Sequence, residues 1–158
     1  STGTAVGEVW PITDDTMYAL VDNAILRTTN ATAATPTWTN LLVDNYERLD
    51  DVVFTDATHG HAFGRNGVML TTANGTNWTR SDTDSVVSVG AATALAADTF
   101  LVAGAGNQIV RSNDTGDTWT QRNSGTNPTW MDVSMTTDGT DRRVGGWGAI
   151  EGTKEEGT

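Results

Sequence analysis

Apolar residues occur along this chain in short stretches separated by glycine, asparagine, aspartate and threonine. The period of the pattern is set by three Trp-Thr pairs that are 40 and 41 residues apart, at Trp38-Thr39, Trp78-Thr79 and Trp119-Thr120. No window keeps apolar residues at i, i+3, i+4 and i+7 for three turns, so an amphipathic helix is not predicted. The pattern predicts short strands joined by tight turns.

Three apolar segments precede each Trp-Thr pair, and each segment predicts one further strand. The first strands are predicted at 9–10, 52–54 and 86–89, the second at 18–21, 61–64 and 100–103, and the third at 25–28, 69–72 and 109–112. A fourth copy covers 130–133, 144–147 and 149–150 and stops before its own Trp-Thr strand. Four short strands in about 40 residues are typical of one β-propeller blade.

We therefore predict an all-β fold, with residues 1–158 forming one β-propeller domain of about four four-stranded blades. The approximate blades are 6–48, 49–85, 86–128 and 129–158. The last blade is incomplete, and residues 1–5 are a candidate for its missing strand. Two arrangements stay open: a closed four-bladed ring, or part of a larger or oligomeric propeller whose open strand edges pair with another chain.

The turn of the third repeat fits the pattern Ser-x-Asp-x-Gly-x-Thr-Trp and so resembles the Asp-box, or BNR repeat. The matching residues are Ser112, Asp114, Gly116, Thr118 and Trp119. In such a turn the aspartate accepts backbone N–H groups, the glycine adopts positive φ and the tryptophan packs beneath. We therefore interpret Asp114 as a structural carboxylate rather than a catalytic acid or metal ligand.

The other two repeats are predicted to carry degraded versions of this turn. The second keeps Gly75 and Trp78 as anchors but has Ala73 where the pattern places aspartate. The first turn ends at Trp38, its predicted anchor, and is three residues longer.

Residues 53–72 are similar to a blade of the Ycf48-like photosystem II assembly factors, with Phe, Asp, Gly and Thr at the positions those blades share. The resemblance implies a propeller, and in that family it implies seven blades and membrane-protein partners bound through an arginine-rich patch. This chain has about half that many repeats and eight arginines scattered among acidic residues. We expect the fold to carry over and the photosynthetic role not to.

The charge balance of the chain indicates the environment in which the protein works. Twenty acidic residues face nine basic ones, which gives a net charge of −11 and a pI near 4.2. Lys154 is the single lysine. This balance resembles proteins of halophilic archaea and their viruses, because molar salt screens the self-repulsion of such a surface. An ordinary acidic extracellular protein is the alternative. In either setting we expect a location outside the cell or on a cell or virion surface, and no nucleic-acid partner.

Other site classes are not predicted. Without cysteine there are no disulfides or thiolate sites, and no apolar run is long enough for direct membrane insertion. Sialidases share the Asp-box, but their tyrosine–glutamate pair has no match beyond the cluster Tyr46-Glu47-Arg48. The doublets 14–15 and 50–51 are interpreted as turn or edge residues, since adjacent strand residues point to opposite faces. His59 and His61 are interpreted as a turn histidine and a packed histidine rather than metal ligands.

Four Asn-x-Ser/Thr sequons fall at the predicted outer turns and are candidate N-glycosylation sites if the protein is exported: Asn30, Asn74, Asn77 and Asn113.

These patterns together predict a non-catalytic binding or assembly module on a halophilic cell or virus surface, with a structural, adhesion or spike role. We predict no catalytic, cofactor-binding or metal-binding residues and no cofactor. The expected partner is a protein or glycan, or a second copy joined through open blade edges. Two alternatives stay open: a Ycf48-like assembly factor for a membrane complex, and a sialidase-like glycoside hydrolase fragment.

Overall fold

A computed structural model describes residues 6–41, 48–82, 88–96, 98–105, 108–121, 130–135, 141–146 and 149–154. All regular structure in these ranges is β-strand, arranged in four antiparallel sheets. None of these residues forms a helix that could cross a bilayer.

The sheets follow one another along the chain, and within each sheet every strand pairs with the next one in sequence. Sheet I contains β1 (Val6–Pro11), β2 (Met17–Val21), β3 (Ala24–Thr28) and β4 (Thr39–Asn40). Sheet II contains β5 (Leu49–Phe54), β6 (Gly60–Gly64), β7 (Val68–Thr72) and β8 (Thr79–Asp82). Sheet III contains β9 (Val89–Ala96), β10 (Thr99–Gly104), β11 (Ile109–Ser112) and β12 (Thr120–Gln121). Sheet IV contains β13 (Trp130–Met135), β14 (Asp141–Gly146) and β15 (Ala149–Lys154).

The predicted all-β class and the four-stranded sheets are confirmed, and one strand is misplaced. The sequence predicts the first strand of the third repeat at 86–89, whereas β9 begins at Val89 and runs to Ala96. Residues 83–87 lie outside the described part of the chain. β9 is rich in alanine, which has low β-propensity, so its strand conformation depends on packing against the neighbouring sheets. Single-sequence patterning cannot register that contribution.

The core lies between successive sheets, because neighbouring strand residues point to opposite faces. In β5, Val52 packs toward sheet I with Tyr18, whereas Val53 packs toward sheet III with Phe100. The first strands of the sheets also lie side by side in chain order, β1 against β5, β5 against β9 and β9 against β13. The four sheets are therefore stacked face to face, and each described interface contains an apolar core.

Tryptophans of the Trp-Thr pairs pack on the preceding sheet. Trp78 covers the core between sheets I and II, and Trp119 covers the core between sheets II and III. Trp38 belongs to sheet I, where no described sheet precedes it, and it is 42% exposed. Val9 in β1 is 47% exposed as well. The face of sheet I that bears Trp38 is open among the described residues, and its role as an anchor stays a prediction.

Sheet IV has three described strands, with β15 at the edge where the other sheets carry a fourth. Val6 already belongs to β1, where it pairs with Val21. Residues 1–5 lie outside the described part of the chain, so completion of sheet IV by this segment stays a prediction. The division of the chain into blades at 6–48, 49–85, 86–128 and 129–158 also stays a prediction.

Candidate functional site: the outer turns and the recess between sheets II and III

The turn between β11 and β12 is closed by its own side chains. Ser112 Oγ accepts a hydrogen bond from Gly116 N at 2.8 Å and donates one to Asp114 Oδ1 at 2.8 Å. The Asp114 carboxylate also accepts bonds from Thr118 N at 2.9 Å and Thr118 Oγ1 at 2.5 Å. Trp119 Nε1 donates to Gly116 O at 3.0 Å. All five residues of the predicted motif therefore take part in one network.

This network sets both the charge and the backbone of the turn. The bonds from Thr118 and Ser112 lower the pKa of Asp114, so its carboxylate is ionised at neutral pH. Gly116 has φ of 89°, and an added Cβ would lie 3.1 Å from Met69 Cε of sheet II. The geometry supports a structural role for Asp114 and ties the turn closely to sheet II.

The turns of sheets I and II use asparagine in the same role. Asn30 Oδ1 accepts bonds from Thr28 Oγ1 at 2.9 Å and Thr37 N at 3.0 Å. Asn74 Oδ1 accepts bonds from Thr76 N at 2.9 Å and from Asn77 N at 2.8 Å. The alignment that places Ala73 at the aspartate position is thus wrong by one residue. The readable signal is a hydroxyl residue two positions before Asn or Asp, where both acids and amides supply the oxygen.

These contacts bear on the candidate glycosylation sites. Asn30 and Asn74 use their side-chain oxygen to hold a turn, whereas Asn77 and Asn113 are exposed at the same turns. Glycan attachment at all four positions stays a prediction.

We expect Asp114→Asn to preserve the stability of the turn, because asparagine already supplies the accepting oxygen in sheets I and II. Asp114→Ala removes the acceptor for Thr118 N and is expected to lower the urea midpoint measurably. Circular dichroism during urea unfolding compares the two variants. Equal loss in both would contradict the equivalence of the three turns.

A tyrosine joins sheet I to the turn of sheet II. Tyr18 OH donates to Gly75 O at 2.8 Å, across the interface between the sheets. Its ring stacks on Phe54 with centroids 4.2 Å apart, and the Arg27 guanidinium lies 5.7 Å from the ring centroid. Desolvation raises the pKa of Tyr18, which keeps its hydroxyl a hydrogen-bond donor. Gly75 supplies the accepting carbonyl of this contact and has φ of 70°.

Sheet II carries a smaller residue at the same register position. Tyr18 pairs with Arg27 across β2 and β3, and His61 pairs with Thr71 across β6 and β7. Sheet II thus has His61 in place of Tyr18 and Thr71 in place of Arg27, and both of its side chains are shorter on the side that faces the next turn. A recess of about 270 Å³ results between sheet II and the turn of sheet III. We refer to it below as the recess.

Hydroxyl side chains line one side of the recess, and His61 lies at its base. Thr71, Thr79 and Ser81 line it from β7 and β8, and Asp117 lines it from the opposite turn. His61 is 5% exposed, and its Nδ1 has no hydrogen-bond partner among the described residues. Because Nδ1 is closed off from solvent, the polar groups of the recess that a ligand can reach are those of the threonines, the serine and the aspartate named above.

Burial controls the charge of His61. Desolvation, and to a smaller extent the charge of His59, lowers the pKa of His61 to about 4. Its ring packs 4.3 Å from that of Phe100, centroid to centroid. His61 is therefore neutral at pH 7. His59 lies instead in the exposed β5–β6 turn, where its Nδ1 is 2.7 Å from Asp56 Oδ2.

Lowering the pH is expected to destabilise the fold through His61. The unfolded histidine has a pKa near 6.5, so the unfolded chain takes up a proton that the folded chain refuses. Stability should fall between about pH 6.5 and 4, by about 3 kcal/mol in total. The neighbouring titratable groups are His59 and Asp56 on the adjoining turn and Asp117 opposite.

Urea midpoints at pH 7 and pH 4 check this effect in wild type and in His61→Phe, which keeps an aromatic ring and removes the titration. The variant should lose much of the pH dependence, whereas His59→Gln should keep most of it. An unchanged slope in His61→Phe would contradict the assignment.

The remaining candidate carboxylates serve structural contacts. Asp15 accepts bonds from Thr32, and Asp50 lies 3.0 Å from Arg48 Nε. Asp51 Oδ2 accepts a bond from Ala92 N at 2.5 Å, which ties β5 to β9. The doublet 50–51 lies in β5, which is an edge strand of sheet II, as one of the two interpretations expects. The doublet 14–15 does lie in a turn.

Other candidate chemistry is located as follows. Residues 46 and 47 of the tyrosine–glutamate cluster lie outside the described residues. Within the described ranges no three His, Asp or Glu side chains converge as metal ligands. Sequence reasoning missed the recess, whose only signal is the change from Tyr18 and Arg27 to His61 and Thr71 at equivalent register positions.

Comparison with known proteins was made on sequence and on structure. No family model and no curated protein matches the sequence. The structure is similar to the WD40 β-propeller domain of Doa1, with a TM-score of 0.75 and 9% identity over 98% of this chain and 52% of that one. The fold is that of a β-propeller.

Other similar structures share this propeller fold. A structure titled Ycf48 bound to D1 peptide has a TM-score of 0.71 at 17% identity, covering 98% of this chain and 55% of that chain. Ycf48 from Cyanidioschyzon merolae has a TM-score of 0.76 at 17% identity, covering 96% and 51%. An ancestral GH74 enzyme has a TM-score of 0.75 at 15% identity, covering 96% and 23%. The chain thus spans about half the length of the Ycf48 propellers.

Proposed function

We propose that this propeller is a non-catalytic module that binds a protein, with the recess as a contact site. The observation that carries the proposal is the open recess between sheet II and the turn of sheet III, lined by Thr71, Thr79 and Ser81. The turn opposite it is already held by its own hydrogen bonds, so ligand binding need not rearrange that turn. A recess between two rigid elements suits recognition, because little conformational entropy is lost on binding.

Similarity to Ycf48 supports a protein partner, since that propeller has been solved with a D1 peptide. Similarity to the GH74 enzyme supports the fold and does not favour hydrolysis. Asp114, Asp51 and Asp15 are engaged in structural hydrogen bonds, so these three carboxylates are not free to act as an acid and base pair.

The acid excess supports a further proposal on the setting: display on a cell or virion surface in concentrated salt. Net charge of −11 favours solubility there and repels like-charged copies in dilute buffer. Unfolding midpoints measured from low to molar potassium chloride test it. A midpoint that falls with salt would contradict a halophilic origin.

Selection from a displayed random-peptide library tests the binding function. Binders enriched on the wild type should be lost on Thr71→Arg, which fills the recess with the side chain that sheets I and III carry at this register. Thr120→Arg adds the same charge outside the recess and should retain them. Failure to enrich any binder, or turnover of a panel of glycosides, would overturn the proposal.

A further inference from the structure

The recess has a specific origin in the repeat. At one register position β3 carries Arg27 and β11 carries Arg111, whereas β7 carries Thr71. In sheet I the guanidinium of Arg27 lies over the aromatic ring that fills the next interface, 5.7 Å from its centroid. Sheet II therefore has an open volume where sheet I places a guanidinium.

We propose that the recess binds the guanidinium group of an arginine side chain from a partner protein. This inference rests on the proposed binding function and adds the chemistry of the recognised group. Arginine is the residue whose planar donors fit several fixed acceptors at once.

Acceptors converge from both sides of the recess. Thr71, Thr79 and Ser81 present hydroxyl oxygens from sheet II, and Asp117 is exposed on the opposite turn. Met69 supplies apolar contact for the aliphatic part of the side chain.

Electrostatics favours a cation over an anion. The chain carries a net charge of −11, and burial keeps His61 neutral at pH 7, so the floor does not repel a positive group. A volume of about 270 Å³ is below the range of about 300–1,000 Å³ usual for small-molecule pockets. It suits one long side chain better than a whole ligand.

Short capped peptides test the inference directly. Acetyl-Gly-Arg-Gly-amide is titrated into the 158-residue chain and followed by the NMR shifts of the His61 ring and the Met69 methyl group. The lysine and citrulline peptides are the matched probes. We expect the arginine peptide to bind at least about tenfold more tightly than either, because lysine lacks the planar donors and citrulline lacks the charge.

Two variants locate the site. Thr71→Arg should weaken binding of the arginine peptide by more than about tenfold, whereas Thr120→Arg should leave it close to wild type. Should Thr71→Arg fail to fold, Asp117→Asn removes the exposed carboxylate of the opposite turn and should weaken binding severalfold. Circular dichroism confirms the fold of each variant.

Equal affinity for arginine and lysine peptides, or full binding by Thr71→Arg, would overturn the inference. The proposed binding function is tested separately from the guanidinium assignment. Library peptides that lack arginine and still require the recess would support the binding function and contradict the guanidinium assignment.

Discussion

Replacing Gly104 by alanine is expected to destabilise the protein by about 3 kcal/mol or to prevent sheet III from forming. A Cβ at this position would collide with the carbonyl oxygen of Ser88. That oxygen accepts a hydrogen bond from Ala105 N at 3.0 Å, so it cannot move away without breaking the junction between β9 and β10. Urea unfolding followed by circular dichroism measures the loss.

Sheet II repeats this junction and supplies a second test. A Cβ at Gly64 would lie 2.5 Å from the backbone oxygen of Arg48, so Gly64→Ala should behave like Gly104→Ala. Gly7 is the matched control, since an added Cβ there meets Leu20 O at an ordinary 3.7 Å. Gly7→Ala should stay within about 0.5 kcal/mol of wild type. A Gly104→Ala protein as stable as that control would refute the packing at the junction.

Removing the Tyr18 side chain is the second change with a large expected effect. Tyr18 is fully buried, stacks on Phe54 and reaches Gly75 O of the next sheet. Tyr18→Ala should cost about 3–5 kcal/mol, because it opens a cavity in the core between sheets I and II. Equilibrium unfolding in urea gives the value.

The phenol has a smaller contribution that can be separated. Tyr18→Phe keeps the ring and removes only the hydrogen bond to Gly75 O, which should cost about 1–2 kcal/mol. Val9→Ala, on the exposed face of sheet I, is the control and should cost little. If Tyr18→Ala were no worse than Val9→Ala, the described interface between the two sheets would be wrong.

The strand pattern was predictable because the first three repeats share the same alternation and each carries a Trp-Thr pair. The second and third strands of the first three repeats agree with β2, β6, β10, β3, β7 and β11 to within one residue at either end. β9 was not predictable in place, because its alanines become a strand only through contact with the sheets on either side. Local signals sufficed wherever the apolar residues were large.

A site residue could be predicted from the sequence only where its role requires a particular residue type. Asp114 was recognisable from its motif, while Asn30 and Asn74 perform the same function and were hidden by a pattern that requires aspartate. The recess was beyond reach, because it arises from the spatial equivalence of Tyr18 and His61 in different sheets. That equivalence is visible only once the strand registers are known.

Trp38 makes the open face of sheet I optically observable. At 42% exposure, and on the outside of its sheet, it should emit at longer wavelength than Trp78 or Trp119 and be reached by iodide or acrylamide. Any sheet laid over that face, whether from sheet IV, a second copy or a longer polypeptide, would shield the indole. The difference in collisional quenching between the wild type and Trp38→Phe therefore reports whether the ring of blades is open or shut.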